Sequence, residues 1–209
     1  MNADQVAALR VLLGPTGWLE RTRYFARALR QTARTPAGLL IVGTPQDEPW
    51  HMTAHLADEA RLADLPGLAP VLLRWAPRPG GPAHLSIGID RLEAVVRGET
   101  LLVVSPTAVP ASMLERLDEA RRTGAAIFAL DRDDSELEAV AHESLPVPSG
   151  AAPLSFDAAQ HLVSAAAGER DRPRAGRHGS ADGLPQAPRA GLRSRLARML
   201  DAVSGTPVD

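Results

Sequence analysis

The sequence contains no cysteine. Disulfides, thiolate metal sites and cysteine nucleophiles are therefore excluded. It contains no lysine either: all 23 basic residues are arginine. With the excess of alanine, proline and glycine, this reads first as the mark of a GC-rich coding sequence and only second as chemistry. Aromatic residues make up 3%, so a core has to be built from Leu, Val, Ile and Ala. No apolar run approaches the ~20 residues that a membrane span needs. The first residues, MNADQVAALRVLLG, lack a basic leading region and a small-residue cleavage site, so they do not read as a signal peptide. A cytoplasmic protein is expected. The formal net charge of −2 provides no global field toward nucleic acid or membrane.

What is present is 209 residues with an ordinary apolar share of 44%, enough for one α/β domain. The chain is organised around residues 38–59, GLLIVGTPQDEPWHMTAHLADE. Residues 39–42 read as a short apolar strand, and Gly43 opens a polar turn. A helix begins near Pro49, with Asp47 or Glu48 as its cap. His51, His55 and Glu59 recur every fourth residue and share one helix face. A strand that feeds a helix N-terminus through a Gly-led turn is a phosphate-binding geometry. A His-x-x-x-His-x-x-x-Glu face can ligate a metal or move a proton. The plainer reading makes it the polar face of a first helix, turned to water or to a partner.

Helical spacing appears over residues 5–13 and again from Thr16 or Gly17 to about Ala33. The second of these helices is arginine-rich on its polar face. No aromatic platform accompanies those arginines, so a solvated or subunit-pairing face is expected and nucleic acid is not. Further strands are expected at 70–75, 100–104, 126–130 and 143–147, with residues 84–89 as a short extended piece. Helices are expected at 90–97, 111–122, 133–141 and 155–167, the last capped by Ser155. Strands alternating with helices indicate a mainly parallel, doubly wound sheet. Ligands in such sheets sit beyond the carboxyl ends of the strands, which places the turns at 43–48 and 105–110 on one rim. From Gly168 the composition becomes rich in Arg, Pro and Gly. Residues 168–190 therefore read as a disordered linker. Residues 191–204 read as a short amphipathic helix, expected to dock on protein rather than on lipid.

Three stretches resemble the sugar isomerase (SIS) domain, and within it the phosphoheptose isomerase type. Residues 38–59 are similar to that family's first strand, turn and helix, with His and Glu four apart. Residues 90–130 are similar to its helix, central strand, Ser-rich phosphate loop, helix and next strand. The ESLPVP segment and the helix after it are similar to the last strand and closing helix. The resemblance spans about residues 5–167. It implies a three-layer α/β sandwich with a five-stranded, mainly parallel sheet in flavodoxin-like order. Residues 36–167 would form that domain, preceded by two N-terminal helices in residues 1–35 that pack on it or dimerise it. It also implies a homo-oligomer, dimer or tetramer, with a phosphosugar at the subunit interface.

Carried over by position, His55 and Glu59 match the family's catalytic pair. Gly43, Thr44, Asp47, Ser105 and Thr107 fall in its ligand-binding turns. A zinc would use His55 and Glu59 with Asp157 or His161. This sequence also departs from the pattern. The first turn, Gly43-Thr44-Pro45-Gln46-Asp47, lacks the family's further glycines, and Asp47 stands where a phosphate-binding Ser would. Ala108, Val109 and Pro110 replace the Gly and later Ser of the second loop. Asp157 and Ala165 stand at the closing-helix Gln and His positions, while Gln160 and His161 are out of register.

The expected function is a divergent SIS-like domain that binds a phosphosugar or related carbohydrate derivative in a non-catalytic or regulatory role. One alternative is an active phosphoheptose-type aldose–ketose isomerase with Glu59 as acid/base. The other is an interaction or scaffold protein that works through its C-terminal tail.

Overall fold

The computed structural model describes residue 13, residues 17–147 and residues 154–169. The expected first N-terminal helix (apart from Leu13), the turn at 149–152, the linker and the C-terminal amphipathic helix lie outside the described residues.

Five strands form one sheet: β1 (Leu39–Val42), β2 (Pro70–Leu72), β3 (Thr100–Val104), β4 (Ala126–Asp131) and β5 (Glu143–Pro146). Their order is β2-β1-β3-β4-β5, and every pairing is parallel. This is the expected flavodoxin-like order. The two central strands, LLIV and TLLVV, are buried at every position, because both faces of a parallel sheet are covered by helices. The helices are α1 (Trp18–Thr32), α2 (Trp50–Ala63), α3 (Ala111–Thr123), α4 (Ser135–Val140) and α5 (Phe156–Ala167).

Side chains of alternate strand residues go to opposite faces. Leu39, Ile41, Leu102, Val104, Phe128 and Leu130 meet α1, α2 and α5. Leu40, Val42, Leu101, Val103, Ile127 and Ala129 meet α3, α4 and a 3₁₀ segment, Ile89–Ala94. Phe25 of α1 meets Phe128 edge-on, with ring centroids 5.4 Å apart. The Trp18 indole N–H donates to the Pro146 carbonyl at 3.0 Å and ties α1 to the edge strand β5. α5 packs against both α1 and α2, and the nine residues from Ala159 to Ala167, together with Phe156, are buried. An apolar-rich helix of this kind belongs between two others.

Several local expectations are corrected. The second strand stops at Leu72 as a regular element. The Leu73 N–H still reaches the Ile41 carbonyl at 2.8 Å, but Arg74 then pairs with Gly88 in an isolated bridge. Residues 84–89 hold a 3₁₀ turn, Ala83–Leu85, before that bridge. The expected helix at 90–97 is 3₁₀ and ends at Ala94. There Val95 turns extended, and the Val96 N–H donates to the Glu99 carboxylate at 2.9 Å. Neither Asp47 nor Glu48 caps α2, whose N-cap is Pro49 with no side-chain acceptor. Ser155 does cap α5, accepting from the Ala158 N–H. None of the described helices is long and apolar enough to cross a membrane.

Candidate functional site

The turns after β1 and β3 lie side by side on the carboxyl rim, as the strand order requires. Both are closed on themselves. The Asp47 N–H donates to the Thr44 side-chain oxygen and to the Thr44 carbonyl, each at 3.2 Å. Thr44 is buried. A β-carbon on Gly43 would lie 2.0 Å from the Asp47 carbonyl oxygen and 3.1 Å from that of Val104. The missing side chain therefore admits backbone, not a ligand. The Glu48 carboxylate accepts from Arg74 Nε and from the Trp75 N–H, both at 3.1 Å, and the Trp75 indole donates to the Gly43 carbonyl at 2.8 Å. In the second turn, Ser105 is buried; its hydroxyl donates to the Thr107 carbonyl and accepts from the Thr107 N–H. The Val109 N–H goes to Asp134 at 2.8 Å. The Thr44 and Ser105 hydroxyls and the Asp47, Thr107 and Val109 amides are thus engaged within the protein, and two carboxylates, Glu48 and Asp134, are held at these turns, where they repel phosphate.

The histidines are arranged differently. His51 and His55 lie one turn apart on α2, and α5 brings His161 against them. Their ring centroids are 4.7 Å (His51–His55), 4.4 Å (His51–His161) and 4.2 Å (His55–His161) apart. The Nε2 atoms of His51 and His161 are 2.7 Å apart, so one of them donates and the other accepts. A donor nitrogen from each of the three lies within 4.8 Å of the others. His51 is exposed, His55 half-buried and His161 buried. The Nδ1 atom of His161 is buried without a hydrogen-bond partner.

Burial, then the His51 imidazole, lowers the His55 pKa, against an upward pull from Asp58. Burial, then His55 and His51, pushes His161 down to about 4, against an upward pull from Asp157. Near neutral pH both rings are therefore neutral. This gives a pH prediction for the metal-free chain. His161 is protonated more readily in the unfolded state, where its pKa is the ordinary 6.5, than in the folded state. The stability gained from keeping it neutral is fully present above pH 6.5 and is lost as pH falls toward 4. Urea unfolding in the presence of a chelator should show roughly 2 kcal/mol less stability at pH 5 than at pH 7.5 from this ring. His161→Gln should flatten that slope. A slope over this interval that the substitution leaves intact would show that the ring is not held neutral.

Of the residues singled out from the sequence, His51, His55 and His161 come together, and Glu59 is not part of that cluster. Glu59 is buried, and its carboxylate lies where a β-carbon on Gly168 would be, 2.1 Å from Oε2. It packs at the far end of α5. Asp157 is exposed and accepts from Gln160 Nε2 at 3.2 Å. Glu59 is not among the residues whose ligand atoms lie within 4.8 Å of one another. His51, which shares the α2 face but was outside the expected ligand set, takes the place next to His55.

No protein-family model and no curated protein matches the chain. Solved structures do. A candidate phosphosugar isomerase from Silicibacter pomeroyi DSS-3 superposes with a TM-score of 0.55 at 20% identity, over 95% of this chain and 52% of its own. A candidate phosphosugar isomerase from Salmonella typhimurium LT2 gives a TM-score of 0.42 at 12% identity, over 71% of this chain and 43% of its own. The chain spans about half the length of the Silicibacter protein. At this identity the likeness is one of fold: a five-stranded parallel sheet flanked by helices, of the kind found in proteins named as phosphosugar isomerases.

Proposed function

We propose that the chain is a divergent sugar-isomerase-type domain that binds a carbohydrate derivative in a non-catalytic, regulatory role. The observation that carries this reading is the closure of both strand-end turns. The Thr44 and Ser105 hydroxyls and the amides of Asp47, Thr107 and Val109 are engaged within the protein, and Glu59 packs against Gly168 at the end of α5, outside the histidine cluster. A phosphate would have to displace these internal bonds, and an acid/base residue would have to leave a packed position. The ligand class favoured is a sugar without a phosphate. Trp50, 39% exposed at the same rim, is stacked by the Arg74 guanidinium at 4.5 Å. A partly exposed ring beside polar groups is a surface on which a sugar ring packs.

The test is a thermal-shift and tryptophan-fluorescence screen of the full chain against neutral sugars, amino sugars, sugar phosphates and inorganic phosphate. Stabilisation by an unphosphorylated sugar, with no response to phosphate, is the expected result. A response confined to sugar phosphates, competed by inorganic phosphate, overturns the assignment of ligand class. A response to none of them overturns the binding role.

A further inference from the structure

The disagreement between the expected metal set and the observed side chains points to a different centre. The family-like set needs Glu59, and Glu59 packs against Gly168. The positions equivalent to its closing-helix ligands are Asp157, which is engaged by Gln160, and Ala165. In their place three imidazoles from two helices converge. We propose that His51, His55 and His161 form a trihistidine centre for a zinc-class divalent ion, which clips α2 to α5.

Four observations support this. First, the spacing suits the ion. Zn–N bonds of about 2.0–2.1 Å in a tetrahedral site put ligand nitrogens about 3.3 Å apart. The donors already lie within 4.8 Å of one another, and the closest pair, at 2.7 Å, has only to open slightly. Second, His161 is 5% exposed and its Nε2 meets the Nε2 of His51, so two ring nitrogens are already held face to face on the protected side of the cluster. An ion among the three rings would fix the tautomer of each and turn a crowded polar cluster into a set of ligand bonds. Third, the ligands differ in access. His161 and His55 form the inner wall, and the exposed His51 leaves an approach from solvent. Fourth, Asp58 and Asp157 are close enough to act on His55 and His161 electrostatically, and both carry the sign that favours a cation. Three imidazoles without a carboxylate select zinc, copper, nickel or cobalt over magnesium and calcium.

The clip has a mechanical consequence. His51 and His161 are 110 residues apart in sequence, and α5 is the last described helix of the fold. An ion that binds the folded chain and not the unfolded one raises the melting temperature by mass action. This inference is independent of the carbohydrate reading, and either can fail without the other.

The experiment uses the full chain, freed of metal with a chelator and dialysed. Isothermal titration with zinc should give one site per chain. Zinc at about a hundredfold excess over Kd should raise Tm by about 5–10 °C, and magnesium should do nothing. Cobalt(II) should give the visible bands of a nitrogen-rich, four-coordinate site. His161 is buried and its replacement risks the fold, so the exposed His51 carries the test. His51→Gln should leave the chain folded, its own metal-free Tm serving as the reference, and weaken zinc by more than the roughly 10–100-fold typical of losing a residue that only supports a ligand. Glu59→Gln should keep the zinc affinity. The proposal is overturned if none of zinc, copper, nickel and cobalt shifts Tm, or if zinc binds His51→Gln as tightly as the parent. Loss of zinc in Glu59→Gln with retention in His51→Gln would restore the family-like set and equally overturn it.

Discussion

Gly43→Ala should cost roughly 3 kcal/mol or more of folding stability, toward the upper end of what overpacking a close-packed site does. The added methyl would sit 2.0 Å from the Asp47 carbonyl oxygen, 2.8 Å from the Pro49 ring and 3.1 Å from the Val104 carbonyl oxygen. Two of these three are backbone and cannot rotate away. Relief requires opening the 43–49 turn, and that turn is held by the Thr44–Asp47 bonds, by Glu48 on Arg74 and Trp75, and by the Trp75 indole on Gly43 itself. The cost is one of overlap, not of backbone conformation, since Gly43 does not sit in the left-handed region. Gly80→Ala makes the control. Gly80 has φ +72 with open space around it, so only the left-handed penalty of about 1 kcal/mol applies. Urea unfolding followed by circular dichroism measures both. A Gly43→Ala loss no larger than that of Gly80→Ala would mean that the turn is open and able to yield, and that a ligand has room there.

The same glycine marks where sequence and structure part. A Gly-led turn between a strand and a helix has two physical uses: it lets backbone approach a phosphate, or it lets backbone approach backbone. Spacing alone does not separate them. The packing of Asp47, Pro49 and Val104 around Gly43 does. The sheet was far easier to read. Runs such as LLIV, TLLVV and AIFAL admit little besides a strand buried on both faces, and their alternation with helices fixes a parallel sheet. Short elements were harder. Residues 90–94 are helical in pattern, but the two valines that follow and Glu99 hold the segment to a 3₁₀ turn.

The site was half legible. Four-residue spacing correctly put His51, His55 and Glu59 on one face of α2. It could not say what each of them meets on α5: His51 and His55 meet His161, and Glu59 meets Gly168. His51 and Glu59 are two turns apart, about 12 Å along the helix axis, so one ion cannot serve both ends of the row. The crossing of α2 and α5 selects the N-terminal end, where His161 arrives. The position of His161 in the family pattern obscured this, because a register taken from a resemblance carries no information about which rings touch.

The second large effect concerns turnover. An aldose–ketose isomerase removes a proton from the carbon beside a carbonyl, and a positioned base contributes about 10²–10⁴-fold to such a step. In this chain the residue expected to serve as that base, Glu59, is 4% exposed and packed against Gly168. The amides of Asp47, Thr107 and Val109 at the strand-end turns are engaged within the protein. Sugar phosphates incubated with the full chain in deuterated water, with and without zinc, and followed by NMR, should take up no deuterium at the exchanging carbon beyond the buffer rate. Enzyme-catalysed exchange that vanishes in Glu59→Gln would contradict this, and would place a working isomerase site where the structure has a closed one.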